Sequence, residues 1–110
     1  MIAVGTDILQ ICRIEEMVAR QGDRFVRRIL TEQEQHEYHT SKQASRLLAK
    51  RFAAKEAIAK SLGTGIGGGV SWQDMQIEHD SNGAPIVRLL GGAKRAAQRR
   101  GGERVELSLA

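Results

Sequence analysis

Apolar positions along this chain fall in blocks whose spacing changes from one block to the next. Ile2-Ala3-Val4-Gly5-Thr6 is a short, mostly apolar run that predicts a buried strand, ending at an acid, Asp7, before Ile8-Leu9. From 11 to 20 the spacing is helical, with Ile11, Ile14, Met17 and Val18 on one side. Gly22 is a plausible stop and Asp23 a plausible cap for the next turn. Over 24–30, Phe25 and Ile29 fall together while Arg24, Arg27 and Arg28 point partly outward. Thr31-Glu32-Gln33-Glu34 has the form of a capping box, in which hydroxyl and carboxylate each accept from an orphan backbone N–H; a polar helix over 32–39 follows from it. After a polar connection at 40–45, Ala, Leu, Lys, Arg and Glu dominate 44–62 and predict a long helix.

The second half is punctuated by glycine. Gly63-Thr64-Gly65-Ile66-Gly67-Gly68-Gly69 cannot stay helical and must be a loop. Residues 71–78 and 84–90 read as two strands around an Asp80-Ser81-Asn82-Gly83 turn, where Asn-Gly supplies positive φ. Gly91-Gly92 breaks the second strand, 93–100 forms a basic helix, and Gly101-Gly102 ends it. In the tail, Val105, Leu107 and Leu109 alternate as in a strand. These elements predict one α+β domain, a small antiparallel sheet packed on a long helix, within 110 residues.

Composition narrows the class. Hydrophobic residues at 41% and charged residues at 27% give a globular balance. No apolar run approaches the roughly 18 residues of a membrane span, and the start lacks the flank and core of a signal peptide. The single cysteine, Cys12, cannot form an internal disulfide, which makes the cytoplasm the default compartment; Cys12 itself reads as a small packed residue. A net charge of +4 favours an anionic partner. The aromatics Phe25, Tyr38, Phe52 and Trp72 are not interleaved with basic residues, so nucleic-acid binding by base stacking is not favoured.

Candidate chemistry centres on Arg51-Phe52-Ala53-Ala54-Lys55-Glu56-Ala57-Ile58-Ala59-Lys60. Phe52, Glu56 and Lys60, four apart, stack along one helix face, with Arg51 and Lys55 on the adjacent stripe. One carboxylate is thus ringed by three cations and followed by a glycine-rich loop, whose backbone N–H groups can approach a phosphate. A second acid such as Asp7 would make a hard-cation site completed by water and substrate phosphate. The plainer readings are a solvated Glu56–Lys60 salt bridge, a merely flexible glycine loop, Asp7 as a helix cap, and wet arginines at 20, 24, 27 and 28. His36, His39 and His79 read as surface residues.

At these residues the chain resembles the holo-acyl-carrier-protein synthases, the small bacterial 4′-phosphopantetheinyl transferases. Gly5-Thr6-Asp7-Ile8, Arg51-Phe52-Ala53-Ala54-Lys55-Glu56-Ala57 and Lys60-Ser61-Leu62-Gly63-Thr64-Gly65-Ile66 carry the resemblance. Arg24-Phe25 to Leu30-Thr31 and the Asn82-Gly83-Ala84-Pro85 turn extend it over nearly the whole chain. The resemblance implies transfer of phosphopantetheine from coenzyme A to a serine of an acyl carrier protein, with release of 3′,5′-ADP, in fatty acid biosynthesis. It implies Mg2+ on Asp7 and Glu56, and nucleotide phosphates on Arg51, Lys60 and the Gly63-Thr64-Gly65 loop, with Phe52 beside them. Glu56 and Lys60 are the implied catalytic residues, Asn82 and Pro85 the implied adenine side. It further implies a homotrimer, with Arg13, Arg24 and Arg28 receiving the acidic carrier.

Two departures accompany the resemblance. Where the family's final strand often carries His-x-Ser, this chain has Glu106-Leu107-Ser108, and it ends about where another strand would follow. The rival to a working transferase is therefore a module that binds coenzyme A or carrier without turnover; a basic nucleic-acid binder ranks third.

Overall fold

The computed structural model describes residues 2–100, with side chains from Ile8 onward; the alternating tail and Glu106-Leu107-Ser108 lie outside the described residues. The elements in order are α1 (Ile2–Gln21), α2 (Asp23–Ile29), α3 (Glu32–Thr40) and α4 (Ala44–Ser61). A single 3₁₀ turn (Trp72–Asp74) then leads into β1 (Met75–His79), β2 (Pro85–Leu89) and α5 (Gly91–Arg99).

The α+β expectation holds, with a sheet of two antiparallel strands in which Met75 pairs with Leu89 and His79 with Pro85. The start of the chain corrects the reading made from its pattern. Residues 2–6 are not a strand but the first turns of α1. A helix satisfies the N–H and C=O groups of this run within its own segment, without a strand neighbour. Residues 72–74 also leave the expected strand: the Ser71 N–H donates to the Asp74 carboxylate at 3.0 Å, and this local box winds a tight turn instead. Asp23 is not the cap of α2; Gly22, at φ 62°, holds that position without a side-chain bond, and Asp23 occupies the first turn, where a carboxylate suits the helix dipole.

Two apolar clusters hold the elements. Ile14 of α1, Phe25, Val26 and Ile29 of α2, and Leu48 and Ala49 of α4 form one, with Ile11 and Phe52 packed against it. Ile58, Ala59 and Leu62 join Val70, Met75, Ala93 and Ala96 in the other, tying α4 to β1 and α5. Fully buried residues such as Leu48 and Ile58 each contribute roughly 1.5–3 kcal/mol of transfer free energy. Cys12 is exposed rather than packed: it follows Ile11 by one residue, about 100° around the helix and off the face that α1 buries.

Candidate functional site

Helix α4 runs through both clusters, and its charges divide between two faces. Leu48, Arg51, Lys55, Ile58 and Leu62 repeat at three- and four-residue intervals, and all five are buried. Two cations therefore sit on the core stripe. The acid that receives them is Glu34, which is 1% exposed. Lys55 Nζ donates to Glu34 Oε1 at 2.6 Å, to the Ile29 carbonyl at 2.7 Å and to the Trp72 carbonyl at 3.2 Å. Burial pushes the Lys55 pKa below the usual lysine value; Glu34 opposes that shift by charge and by hydrogen bonding, while Arg51 adds to it.

Glu34 is fully employed. Its Oε1 also accepts the Thr31 N–H at 2.8 Å, the Thr31 hydroxyl accepts the Glu34 N–H at 3.3 Å, and Oε2 accepts the Ile77 N–H at 2.9 Å. The capping box expected at Thr31 is present, and its acid also binds α3 to α4 and to β1. Arg51 lies with Nε 3.9 Å from Glu34 and one Nη 3.4 Å from Glu37; Nε has no hydrogen-bond partner. Phe52 faces the same interior, stacked on Trp72 at 4.8 Å and tilted against Phe25 at 6.2 Å.

This arrangement corrects the picture of Glu56 ringed by three cations. Arg51 and Lys55 are drawn inward to Glu34, and Lys60 alone of the three is exposed. The solvated Glu56–Lys60 bridge expected on general grounds is not made. Among the described residues the half-buried Glu56 carboxylate has neither an ion pair nor a hydrogen bond. One signal pointed to a buried partner without identifying Glu34: Lys55 occupies a core position of the helical repeat, and a lysine there favours a buried acid.

One turn beyond Glu56, α4 stops. Gly63, at φ 79°, turns the chain out of the helix, and its N–H donates to the Lys60 carbonyl at 2.9 Å. The Gly65 N–H returns to the Ala59 carbonyl at 3.0 Å and the Gly67 N–H goes to Val70 at 3.0 Å. Alternate amides of the loop are thus committed inward. Those of Thr64, Ile66 and Gly68 have no acceptor among the described residues. A loop of this kind can offer N–H groups to an anion from its outer side. The loop rests along α5. A Cβ at Gly92 would collide with the Gly69 carbonyl, and one at Gly63 would lie 2.9 Å from a guanidinium nitrogen of Arg100.

Asn82 and Pro85 stand exposed at the hairpin turn, which Asp80 organises by accepting from the N–H groups of Asn82 at 2.8 Å and Ala84 at 2.9 Å. No described hydrogen bond or ion pair joins this turn to Glu56, Lys60 or the glycine loop. Arg13 on α1 and Arg24 and Arg28 on α2 are exposed, as are Arg20 and Arg27, so these helices present a basic surface. Asp7 lies in α1, and its side chain is outside the described residues. His36, His39 and His79 are exposed as expected.

The family model described as 4′-phosphopantetheinyl transferase superfamily matches residues 3–109. The chain belongs to that superfamily. A holo-[acyl-carrier-protein] synthase of Shewanella frigidimarina is 53% identical over 110 residues, covering 100% of this chain and 87% of the relative. One from Vibrio cholerae is 49% identical over 109 residues, covering 99% and 86%. Among solved structures, the Neisseria meningitidis synthase superposes with a TM-score of 0.76 at 38% identity, over 83% of this chain and 73% of that one. The Helicobacter pylori synthase in complex with coenzyme A gives 0.69 at 33% identity, over 83% and 74%.

In this member of the superfamily, the hard-oxygen donors that could hold a divalent cation are few. No group of three or more His, Cys, Asp or Glu side chains converges among the described residues. Glu56 is nevertheless the right kind of donor, because its carboxylate is half-buried and uncommitted. A cation that keeps several waters and takes substrate phosphate needs only one or two protein carboxylates.

Proposed function

We infer that this chain transfers the 4′-phosphopantetheine arm of coenzyme A to a serine of an apo acyl carrier protein. The observation that carries the reading is the pairing state of α4. Arg51 and Lys55 of this helix turn inward to Glu34, whereas Glu56 and Lys60 are left unpaired one turn apart, at the end that runs into a glycine loop with uncommitted amides.

In the reaction the serine oxygen forms a bond to the β-phosphorus of coenzyme A. The bond from that phosphorus to the bridging oxygen breaks, and 3′,5′-ADP leaves with the electron pair. Phosphoryl transfer asks a protein chiefly to position the groups and to neutralise charge. Lys60, exposed at the end of α4, would offset charge on the leaving nucleotide, and the amides of Thr64 and its neighbours would hold phosphate oxygens. The serine proton passes to Glu56 or to water. Bound Mg2+ would supply Lewis-acid neutralisation of the pyrophosphate oxygens. Its protein ligands in this reading are Asp7 and Glu56. Ile11 of α1 and Phe52 of α4 pack on one cluster, Asp7 lies one turn before the first and Glu56 one turn after the second.

Phe52 supports the site from behind, because its stacking on Trp72 fixes the rotation of α4. Arg51 keeps one Nη on Glu37, and its other guanidinium nitrogens have no hydrogen-bond partner among the described residues. Asn82 and Pro85 would border the adenine, and Arg13, Arg24 and Arg28 would meet the acidic carrier. Ile8, Leu9, Ile86 and Leu90, between 42% and 72% exposed, are surfaces that assembly into a homotrimer would cover. In this reading the carriers served are cytoplasmic ones of fatty acid biosynthesis. The test is incubation with coenzyme A, Mg2+ and an apo carrier. A gain in carrier mass of one phosphopantetheine supports the reading. Coenzyme A binding without that gain overturns it in favour of a binding module.

A further inference from the structure

The C-terminus of α2 is held by side chains from three other elements. The Leu30 N–H donates to the Val26 carbonyl, and the carbonyls that follow have no partner inside the helix. Gln73, in the 3₁₀ turn, places Nε2 2.6 Å from the Arg27 carbonyl and 2.6 Å from the Leu30 carbonyl, with Arg28 farther off at 3.5 Å. An amide nitrogen carries two N–H donors, and both short contacts use one. Gln35 of α3 adds a donor to Leu30 at 2.9 Å, and Lys55 of α4 holds the Ile29 carbonyl at 2.7 Å. The residue before Gln73 grips α4 instead. Trp72 stacks on Phe52 at 4.8 Å, and its carbonyl accepts from Lys55 Nζ at 3.2 Å. Phe52 lies one turn before Glu56, and Lys55 immediately before it. The 3₁₀ turn is therefore a bracket. One arm rests on α4 beside Glu56, and the other on the last turn of α2, which exposes Arg24, Arg27 and Arg28.

We propose that Gln73 is a positioning residue for the carrier, fastening the last turn of α2 to the turn that packs on α4 and so fixing the α2 arginines relative to Glu56. The proposal rests on the transferase reading, in which Arg24 and Arg28 meet the carrier and Glu56 serves its serine. A carrier held by α2 delivers that serine to Glu56 only while the two helices keep one spacing. Gln73 is exposed, so its amide adds nothing to either apolar cluster. With its donors removed, Phe25, Val26 and Ile29 still bury α2, and Lys55 still holds Ile29. The helix stays folded, but its C-terminal turn samples other tilts. A docking surface that is competent only part of the time binds its partner more weakly by that fraction.

The experiment uses the full chain with coenzyme A, Mg2+ and an apo carrier. It compares wild type with Gln73→Met, which keeps the length and neutrality of the side chain and removes its donors. The KM for the carrier should rise roughly three- to tenfold, the scale for losing two neutral hydrogen bonds. The kcat and the KM for coenzyme A should stay within about twofold. In a background of Arg24→Ala with Arg28→Ala, Gln73→Met should change the carrier KM hardly further, because a clamp acting through those arginines has nothing left to position. A residue that only stabilised the fold would shift the unfolding midpoint and leave the carrier KM alone. An unchanged carrier KM, equal rises in both KM values, or a full further loss in the arginine-free background each overturns the proposal. If Gln73→Met does not fold, Gln73→Ala decides on the same readouts. A wild type that binds carrier in calorimetric titration without modifying it sinks the transferase reading alone, and the carrier Kd of the same variants then judges Gln73. A wild type that binds no carrier overturns both.

Discussion

Helix α4 carries two glutamate–lysine associations of opposite kinds. Lys55 reaches across to Glu34, and both are removed from water, with every partner within hydrogen-bonding distance supplied by the fold. Glu56 and Lys60 sit in sequence at the spacing that usually gives a salt bridge, yet they make none. The first set is a joint: it fastens α2, α3, α4 and β1 around one carboxylate. The second makes no bond among the described residues, which leaves both charges available to a ligand. A buried ion pair gains its strength from low dielectric and complete hydrogen bonding, whereas an exposed pair at four-residue spacing is worth only a few tenths of a kcal/mol and is easily given up to a ligand.

The sharpest way to break this contrast is to neutralise one acid of each kind. Glu56→Gln keeps the size and helix propensity of the side chain and removes only its charge. Transfer to the carrier should fall by roughly 10²- to 10³-fold, the scale for losing one preorganised charge-handling group, while the unfolding midpoint stays put. Wild-type-like turnover in that variant would take Glu56 out of the mechanism. Glu34→Ala should do the reverse. It leaves the Lys55 ammonium buried with only carbonyl partners and orphans the Thr31 and Ile77 N–H groups. The expected loss is about 3–5 kcal/mol of stability in denaturant titrations, a large part of what a domain of this size has.

A less destructive pair of substitutions refines the same point. Lys55→Met alone strands the Glu34 carboxylate against Arg51, whose nearest nitrogen is 3.9 Å away. Adding Glu34→Gln removes the stranded charge and keeps an oxygen for one of its backbone donors. The double variant should therefore be more stable than Lys55→Met by roughly 1–3 kcal/mol, although it carries one more substitution. A double variant less stable than either single one would mean that the acid serves the fold through its backbone contacts alone.

The sequence disclosed much of the fold because local rules and burial agreed there. The capping box at Thr31, the Ala- and Leu-rich α4 and the turn around Asp80 each rest on short-range chemistry that tertiary contacts did not override. Residues 2–6 failed for the opposite reason. An apolar run of five fits a strand or a buried helical turn equally well, so its pattern alone does not choose between them. In the site, Glu56, Lys60 and the glycine loop were legible as neighbours in sequence. Glu34 was not, because its partners lie 21 and 43 residues away and nothing local requires that acid to be buried.

The smallest effect concerns the outer arginines, which belong to the exposed half of the contrast. Arg13, Arg24 and Arg28 are exposed, so their removal disturbs no packing. Their contribution to a carrier complex is long-range attraction plus a few rim contacts, each worth up to about 1 kcal/mol. Arg24→Ala with Arg28→Ala should raise the KM for the carrier a few-fold to about twentyfold at low salt, with little change in the KM for coenzyme A. The gap should close as ionic strength rises, since the Debye length shortens to about 8 Å at 0.15 M and the lost attraction is the part that salt removes. Salt should leave the Glu34–Lys55 joint nearly untouched, because ions do not reach a pair with no exposed side-chain surface. A carrier KM equally salt-sensitive with and without the two arginines would place the docking surface on another face of the chain.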